Sequence, residues 1–216
     1  MTRRWRGEGN KFVRYADDIY VFVKSKRAGE RVLESIRRYL ERDLKLKINQ
    51  GKSEVRNPSE IKILGFGLYA KKDEGYRIRI HPKSIEKIKE VVRKESRKTK
   101  AIKLEERLRR LKEIIRGWVN YFRIADCKSH LQRLDEWLRS RIRYCIWKSW
   151  KKIKTRIKEM VRLGINLSEA IRWSMTRLGV WRICHSQILC VTLTKKYLQE
   201  RGYVGFMNAY SNCGKD

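Results

Sequence analysis

At 216 residues the chain is long enough for one large domain or two small ones, each with its own core. Its 41% hydrophobic and 10% aromatic content excludes a disordered basic tail. Its 55 Lys+Arg against 24 Asp+Glu leave a formal net charge of +31, which calls for a polyanionic partner: nucleic acid first, an anionic membrane surface as the alternative. No apolar run reaches the roughly 20 residues that a membrane span needs, and no secretory leader opens the chain. Five cysteines, odd in number and without a C-x-x-C pair, fit reduced thiols in a reducing compartment. Cys184, His185 and Cys190 lie close in sequence, but no second ligand pair completes a tetrahedral zinc site. The expected compartment is cytoplasmic and bacterial in type, with an organelle as the alternative.

In chain order, "KFVRY" and "IYVFV" are two β-prone segments meeting at Ala16-Asp17-Asp18, which predicts a hairpin. "AGERVLESIRRYLERDL" repeats Val32, Ile36, Leu40 and Leu44 every four residues and predicts an amphipathic helix. "LKLKIN" alternates as a half-buried strand does. "IKILGFGLYA" and "YRIRI" predict a second hairpin joined by "KKDEG". The fold class is therefore α+β over the first part, with a helix covering a sheet. After His81-Pro82 the periodicity is helical almost to the end. "LEERLRRLKEIIRGWVNYF" carries Leu104, Leu108, Leu111, Ile115, Trp118 and Phe122 on one stripe. Ser129 with Gln132, and Asn166 with Glu169, have the spacing of helix-opening capping pairs. One last helix is predicted around "QILCVTLTKKYLQE", stopping at Arg201-Gly202. The predicted division is 1–80, mixed sheet and helix, and 81–216, all helical.

Two adjacent carboxylates at a hairpin tip repel each other by roughly 4 kcal/mol at an effective dielectric near 20. A solvated turn is one reading of Asp17-Asp18. The other is a Mg²⁺ site, since hard cations take carboxylate oxygens together with substrate phosphates.

"YADD", with "FVR" before it and a hydrophobic strand after it, resembles the catalytic hairpin of reverse transcriptases. "LKLKINQGKSEV" and "KILGFGLY" follow in the order of the next polymerase blocks. "IIRGWVNYF", the helix after it, "MTRLGVWRI" and "YLQERGYVGF" resemble the maturase-specific thumb of group II intron proteins. The resemblance runs from about residue 10 to about residue 210, and it implies a partial polymerase palm at 1–80 and a maturase thumb at 81–216. Asp17 and Asp18 would be metal-binding carboxylates, with Tyr15 and Ala16 shaping the floor beneath nucleotide and primer end. Lys52 would lie near nucleotide phosphates, or be a solvated turn lysine. Leu64, Gly65 and Phe66 would form the primer grip. The family's fingers and a further catalytic aspartate precede this hairpin, and "MTRRWRGEGN" has no aspartate. The chain by itself is accordingly expected not to synthesise DNA, as a truncated copy or as the partner of a separately encoded amino-terminal half.

From Arg139 to Lys158 there are nine basic residues and no acidic one. Either that run is a solvated helix face, or it binds RNA by phosphate attraction and base stacking. The expected RNA-binding residues are Arg116, Arg123, Arg139, Arg141, Arg143, Trp147, Lys148, Trp150, Lys151, Lys152, Lys154 and Arg182. Trp181 and Arg182 allow either a packing or a binding role. The resemblance implies binding of intron RNA for splicing and retrohoming, with an RNA template, a DNA primer and Mg²⁺ in the full enzyme. The alternatives are a non-enzymatic RNA-binding splicing factor and a generic basic nucleic-acid binder.

Overall fold

The computed structural model describes residues 11–49, 51–97 and 102–212. Strands β1 (Lys11–Tyr15) and β2 (Asp18–Phe22) pair antiparallel, with Tyr15 opposite Asp18 and Ala16-Asp17 as the two-residue connection. Ala16 turns the chain at φ 51°, a left-handed conformation that L-residues other than asparagine and aspartate seldom adopt. Helix α1 (Lys26–Arg38) opens on Ser25, whose side chain accepts from the Ala28 amide, and its last turn widens over Tyr39–Asp43. Gly29 is buried on α1, where a Cβ would lie only 2.7 Å from Val55 Cγ1, so a larger residue does not fit without a shift.

The strand expected in "LKLKIN" does not form. The Leu46 amide turns back to the Leu40 carbonyl, and Lys45 takes φ 52°, so the chain is not extended where the alternation begins. Leu44 and Leu46 stay exposed. Alternation makes a strand only where a neighbouring backbone offers a ladder.

The second predicted hairpin forms between β4 (Phe66–Lys71) and β5 (Gly75–Ile80), but "IKILGFGLYA" is not one strand: it breaks after β3 (Lys62–Ile63), which pairs with β4 in one sheet ordered β3-β4-β5. Leu64 and Gly65 both have positive φ, 51° and 86°, the pattern of a type I′ hairpin turn. By its internal contacts the chain divides into two compact units, residues 1–63 with 67–76 and residues 64–66 with 77–216.

The second unit is helical: α2 (Pro82–Glu95), α3 (Leu104–Phe122), α4 (Lys128–Ser149), α5 (Ile153–Arg162), α6 (Leu167–Ser174), α7 (Val180–His185), α8 (Gln187–Thr192), α9 (Lys195–Glu200) and α10 (Phe206–Asn212). Pro82 occupies the first position of α2, where its missing amide hydrogen costs nothing. The Ser129-Gln132 capping pair is not used, since α4 already starts at Lys128. Asn166 does cap α6, accepting from the Ser168 amide at 3.1 Å. The single last helix expected near residue 190 is two. Leu193 leaves helical geometry at ψ 72°, and Thr194 Oγ1 then caps α9 by accepting from the Tyr197 amide. Gly202, at φ 93°, ends α9 as the Arg-Gly pair predicts.

The core follows the predicted α3 stripe, with Leu108, Leu111, Ile115 and Phe122 buried and Leu104 and Trp118 partly so. It continues on α4 through Leu131, Leu134, Leu138, Ile142 and Ile146. Each such side chain contributes about 1.5–3 kcal/mol by leaving water.

Two polar ties fix the helices. At the end of α2, Arg107 of α3 donates to the Glu95 and Arg97 carbonyls. There Arg141 of α4 also donates to Ser96 Oγ at 2.8 Å, and Cys145 Sγ to the Ser96 carbonyl at 3.1 Å. Cations at a helix carboxy terminus meet the negative end of its dipole. The second tie is Asp135, buried on α4, which accepts from the Phe206 and Met207 amides at 2.5 and 3.1 Å. These are the first-turn amides of α10, so one helix caps another across 71 residues of sequence.

Removing that cap strands two amides, so Asp135→Ala is expected to lower unfolding free energy by about 1–3 kcal/mol in urea titrations. Burial raises the Asp135 carboxyl above its ordinary value, against the two amide bonds that lower it. An acid raised in this way stabilises the fold below its unfolded-state pKa and loses that contribution as pH rises through its folded-state value. Asp135→Asn should therefore flatten the fall in stability as pH rises from about 4.

Candidate nucleic-acid interface

The β1–β2 turn presents Asp17 and Asp18 at an exposed tip, with Tyr15 (56% exposed) and Ala16 also exposed beside them. A two-residue connection puts one carboxylate in the turn and the next at the start of β2. Burial, and then the Asp18 charge, raises the Tyr20 hydroxyl above its usual pKa. Among the described residues no third histidine, cysteine or acidic side chain completes a metal-binding group. Magnesium takes a near-octahedral set of oxygens. The residues present therefore fit a contribution to a metal site rather than a whole one. Lys52 is exposed in a turn closed by its amide on the Asn49 carbonyl at 3.1 Å.

Leu64, Gly65 and Phe66 belong to the helical unit and are clamped there. Tyr121 Oη donates to the Leu64 carbonyl at 2.9 Å. The Gly65 carbonyl accepts from the His81 amide at 3.0 Å and Ser84 Oγ at 2.8 Å. Phe66 stacks on Tyr121 at 5.4 Å and lies 4.9 Å from the Phe122 ring. A Cβ on Gly65 would stand 3.0 Å from Ser84 Oγ and 3.2 Å from Phe122 Cζ. The close approach that glycine permits is thus to α2 and α3. The donors on this turn were not legible in the sequence, because they come from positions 16 to 57 residues away.

The basic run from Arg139 to Lys158 separates into buried and exposed members. Three expected RNA-binding residues are corrected to packing roles. Trp147 (2% exposed) and Trp150 (6% exposed) lie in the core with their rings 6.0 Å apart, so neither has a face open to a base. Arg143 (9% exposed) donates to the Leu193 carbonyl and contacts Cys190 Sγ. Arg156 lies over Trp147 at 4.3 Å and donates to the Trp150 and Ser174 carbonyls, which fixes the turn between α4 and α5. Arg141 is half-buried on Ser96, and Arg139 is half-buried beside Asp135 and Tyr203.

That turn holds Lys151, Lys152 and Lys154 in the open, at the start of α5. No side chain caps α5, so its first amides and its positive dipole end face the same way as an anion site requires. The contrast with α3 is instructive. There Arg109 and Arg110 hydrogen-bond Glu106, whose carboxyl they hold down to about 2. Glu113 also pairs with Arg109. Those arginines are already neutralised, whereas among the described residues no carboxylate pairs with Lys151, Lys152 or Lys154. Lys148 is half-buried and sits 5.8 Å from the Tyr144 ring. Arg116, Arg123 and Arg182 are exposed.

A carboxylate-tipped hairpin with small sheets, followed by a basic, mostly helical region, is consistent with a polymerase palm fragment followed by a helical maturase domain. Comparison with known families agrees. Residues 1–68 match the reverse transcriptase (RNA-dependent DNA polymerase) family, and residues 85–164 match the group II intron, maturase-specific domain. Together the two matches support a carboxy-terminal fragment of a group II intron reverse transcriptase/maturase. No curated protein matches the chain. The reverse-transcriptase family is one of divalent-metal-dependent polymerases. Among the described residues no helix is long and apolar enough to cross a membrane.

Gly65→Ala forces a side chain into the left-handed region and against Phe122, and should cost about 1–3 kcal/mol of the helical unit's stability. Loss of near-ultraviolet circular dichroism at lower urea would register it.

Proposed function

We propose that this chain binds folded group II intron RNA through the exposed cations of its helical part and, in the intact polymerase, supplies two carboxylates to a Mg²⁺ site. The observation that carries the first half is the exposed Lys151-Lys152-Lys154 group at the uncapped start of α5. It lies within the residues matching the maturase-specific domain. Phosphate binding there is electrostatic and needs no chemistry from the protein. Residues 1–80 are read as the rear of a palm and 81–216 as the thumb. Asp17 and Asp18 contribute metal ligands, Tyr15 and Ala16 the nucleotide floor, and Lys52 a phosphate contact. Leu64, Gly65 and Phe66 support the primer end, and the clamp from Tyr121, Ser84 and His81 suits a turn that must hold still. RNA template, DNA primer and a separately encoded amino-terminal half are the partners under this reading, and the compartment is the cytoplasm.

A second reading, a splicing factor that binds RNA without polymerising, is favoured by the two-carboxylate limit of the metal group among the described residues. Primer extension on an RNA template, with an amino-terminal half supplied in trans, separates the two. Incorporation abolished by Asp17→Asn supports the polymerase reading, and persistent silence supports the splicing factor.

Reversing Lys151, Lys152 and Lys154 to glutamate is expected to weaken intron-RNA binding at least about tenfold near 0.1 M salt and to lower the salt slope by about 2. Filter binding across a salt series reads both. Titration with Mn²⁺ should broaden the NMR signals of the Asp17-Asp18 turn, with a millimolar midpoint expected for so few ligands, and Asp17→Asn with Asp18→Asn should remove the effect.

A further inference from the structure

One cluster on the helical unit is not needed for phosphate attraction and has a different chemistry. Trp181, at the start of α7, is 43% exposed although the next turn of the same helix buries Ile183 and Cys184 completely. Its indole is braced rather than loose. The His185 ring meets it at 4.8 Å and 72°, and Tyr144 of α4 meets it at 6.4 Å and 61°. Arg141 lies between the two large rings, 5.1 Å from the Tyr144 centroid and 5.8 Å from that of Trp181. Its guanidinium is itself held by Ser96 Oγ at 2.8 and 3.1 Å, so the cation keeps its place. Ser140 Oγ lies 3.3 Å from His185 Nδ1 and fixes that ring in turn.

The two segments that build this cluster carry no acid. No aspartate or glutamate occurs from 137 to 158 or from 170 to 199. An immobilised indole with a guanidinium over one face, 5.8 Å from its centroid, and no carboxylate from its own segments can offer its other face to a base as a stacking surface. Ring stacking on a preordered aromatic loses little conformational entropy, and a guanidinium adds attraction to both the base and its phosphate. A duplex cannot use such a surface, because its bases are already stacked on each other; unpaired bases in loops and bulges can.

We propose that Trp181, set by Tyr144, Arg141 and His185, is a stacking platform for a single unpaired base, preferably a purine, of the bound RNA. The proposal rests on the RNA-binding reading above and adds to it the kind of RNA element recognised. Exposed Arg182 supplies the adjoining phosphate contact.

The test uses the whole chain and two RNAs of equal length, one a perfect duplex and one a hairpin whose loop carries a 2-aminopurine. Trp181→Ala should lower hairpin affinity about 5- to 100-fold and leave duplex affinity unchanged, while Trp181→Phe retains most of it. Binding should quench the 2-aminopurine in the wild type and not in Trp181→Ala. Unchanged hairpin affinity in Trp181→Ala, or an equal loss for both RNAs, overturns the platform. If the Lys151-Lys152-Lys154 reversal abolishes binding of both RNAs while Trp181→Ala does nothing, only the platform falls. If the wild-type chain binds neither RNA, the RNA-binding reading falls with it.

Discussion

Helix α4 must be a core helix and part of a cationic surface at once, and the rest of the helical unit is arranged around that conflict. Its spine of Leu131, Leu134, Leu138, Ile142 and Ile146 faces inward. Asp135, Ser140, Arg143 and Trp147 are buried as well, so α4 is enclosed on more than one side. A helix enclosed in this way has no broad face left for solvent. Its cations must either find acceptors inside or be carried beyond its end. Arg143 takes the first course on the Leu193 carbonyl, and Arg141 does so on Ser96. Lys151, Lys152 and Lys154 take the second, past the turn at Trp150. Burying an arginine is tolerable because each guanidinium has carbonyl, hydroxyl or thiol acceptors; left unpaired, it would cost several kcal/mol.

The same enclosure explains what the sequence made legible and what it hid. Elements with a one-sided pattern were readable: the α3 stripe gave its bounds and its buried face, and the β4–β5 hairpin was correctly placed, although Leu64-Gly65, read as part of its first strand, turns the chain instead. The run from Arg139 to Lys158 was misread in part because a helix surrounded on several sides has no clean period. Tryptophans amid lysines look like an RNA surface until the neighbouring helices are in place. Two of the three interleaved aromatics, Trp147 and Trp150, then prove to be core. "LKLKIN" failed for the converse reason: it has the period of a strand, but its chain turns back on Leu40 before a ladder can start.

The candidate sites differ in how local their determinants are. The Asp17-Asp18 turn is specified within a few residues, so adjacency of the carboxylates was visible at once. Its incompleteness as a metal group depends on what other strands bring, and spacing does not encode that. The Leu64–Phe66 turn stands between these cases. Its glycine was legible, but its three clamping donors, from His81, Ser84 and Tyr121, are long-range. The Trp181 cluster is long-range as well, since Trp181 and Tyr144 belong to different helices and meet only because α7 packs on α4.

Charge compensation gives the last distinction. On α3, Arg109 and Arg110 sit within one turn of Glu106 and Glu113, and their fields close on themselves over a few ångströms. At the start of α5 and around Trp181 the contributing segments supply lysines and arginines that have no such partners among the described residues. Screening shortens the reach of any exposed charge to about 8–10 Å at physiological salt, so a distant glutamate does not neutralise these positions. A chain of net charge +31 therefore does not attract phosphate evenly. Under the proposed RNA-binding reading it attracts it where local acids are missing, and those are the places where the fold also offers amide hydrogens or an ordered aromatic face.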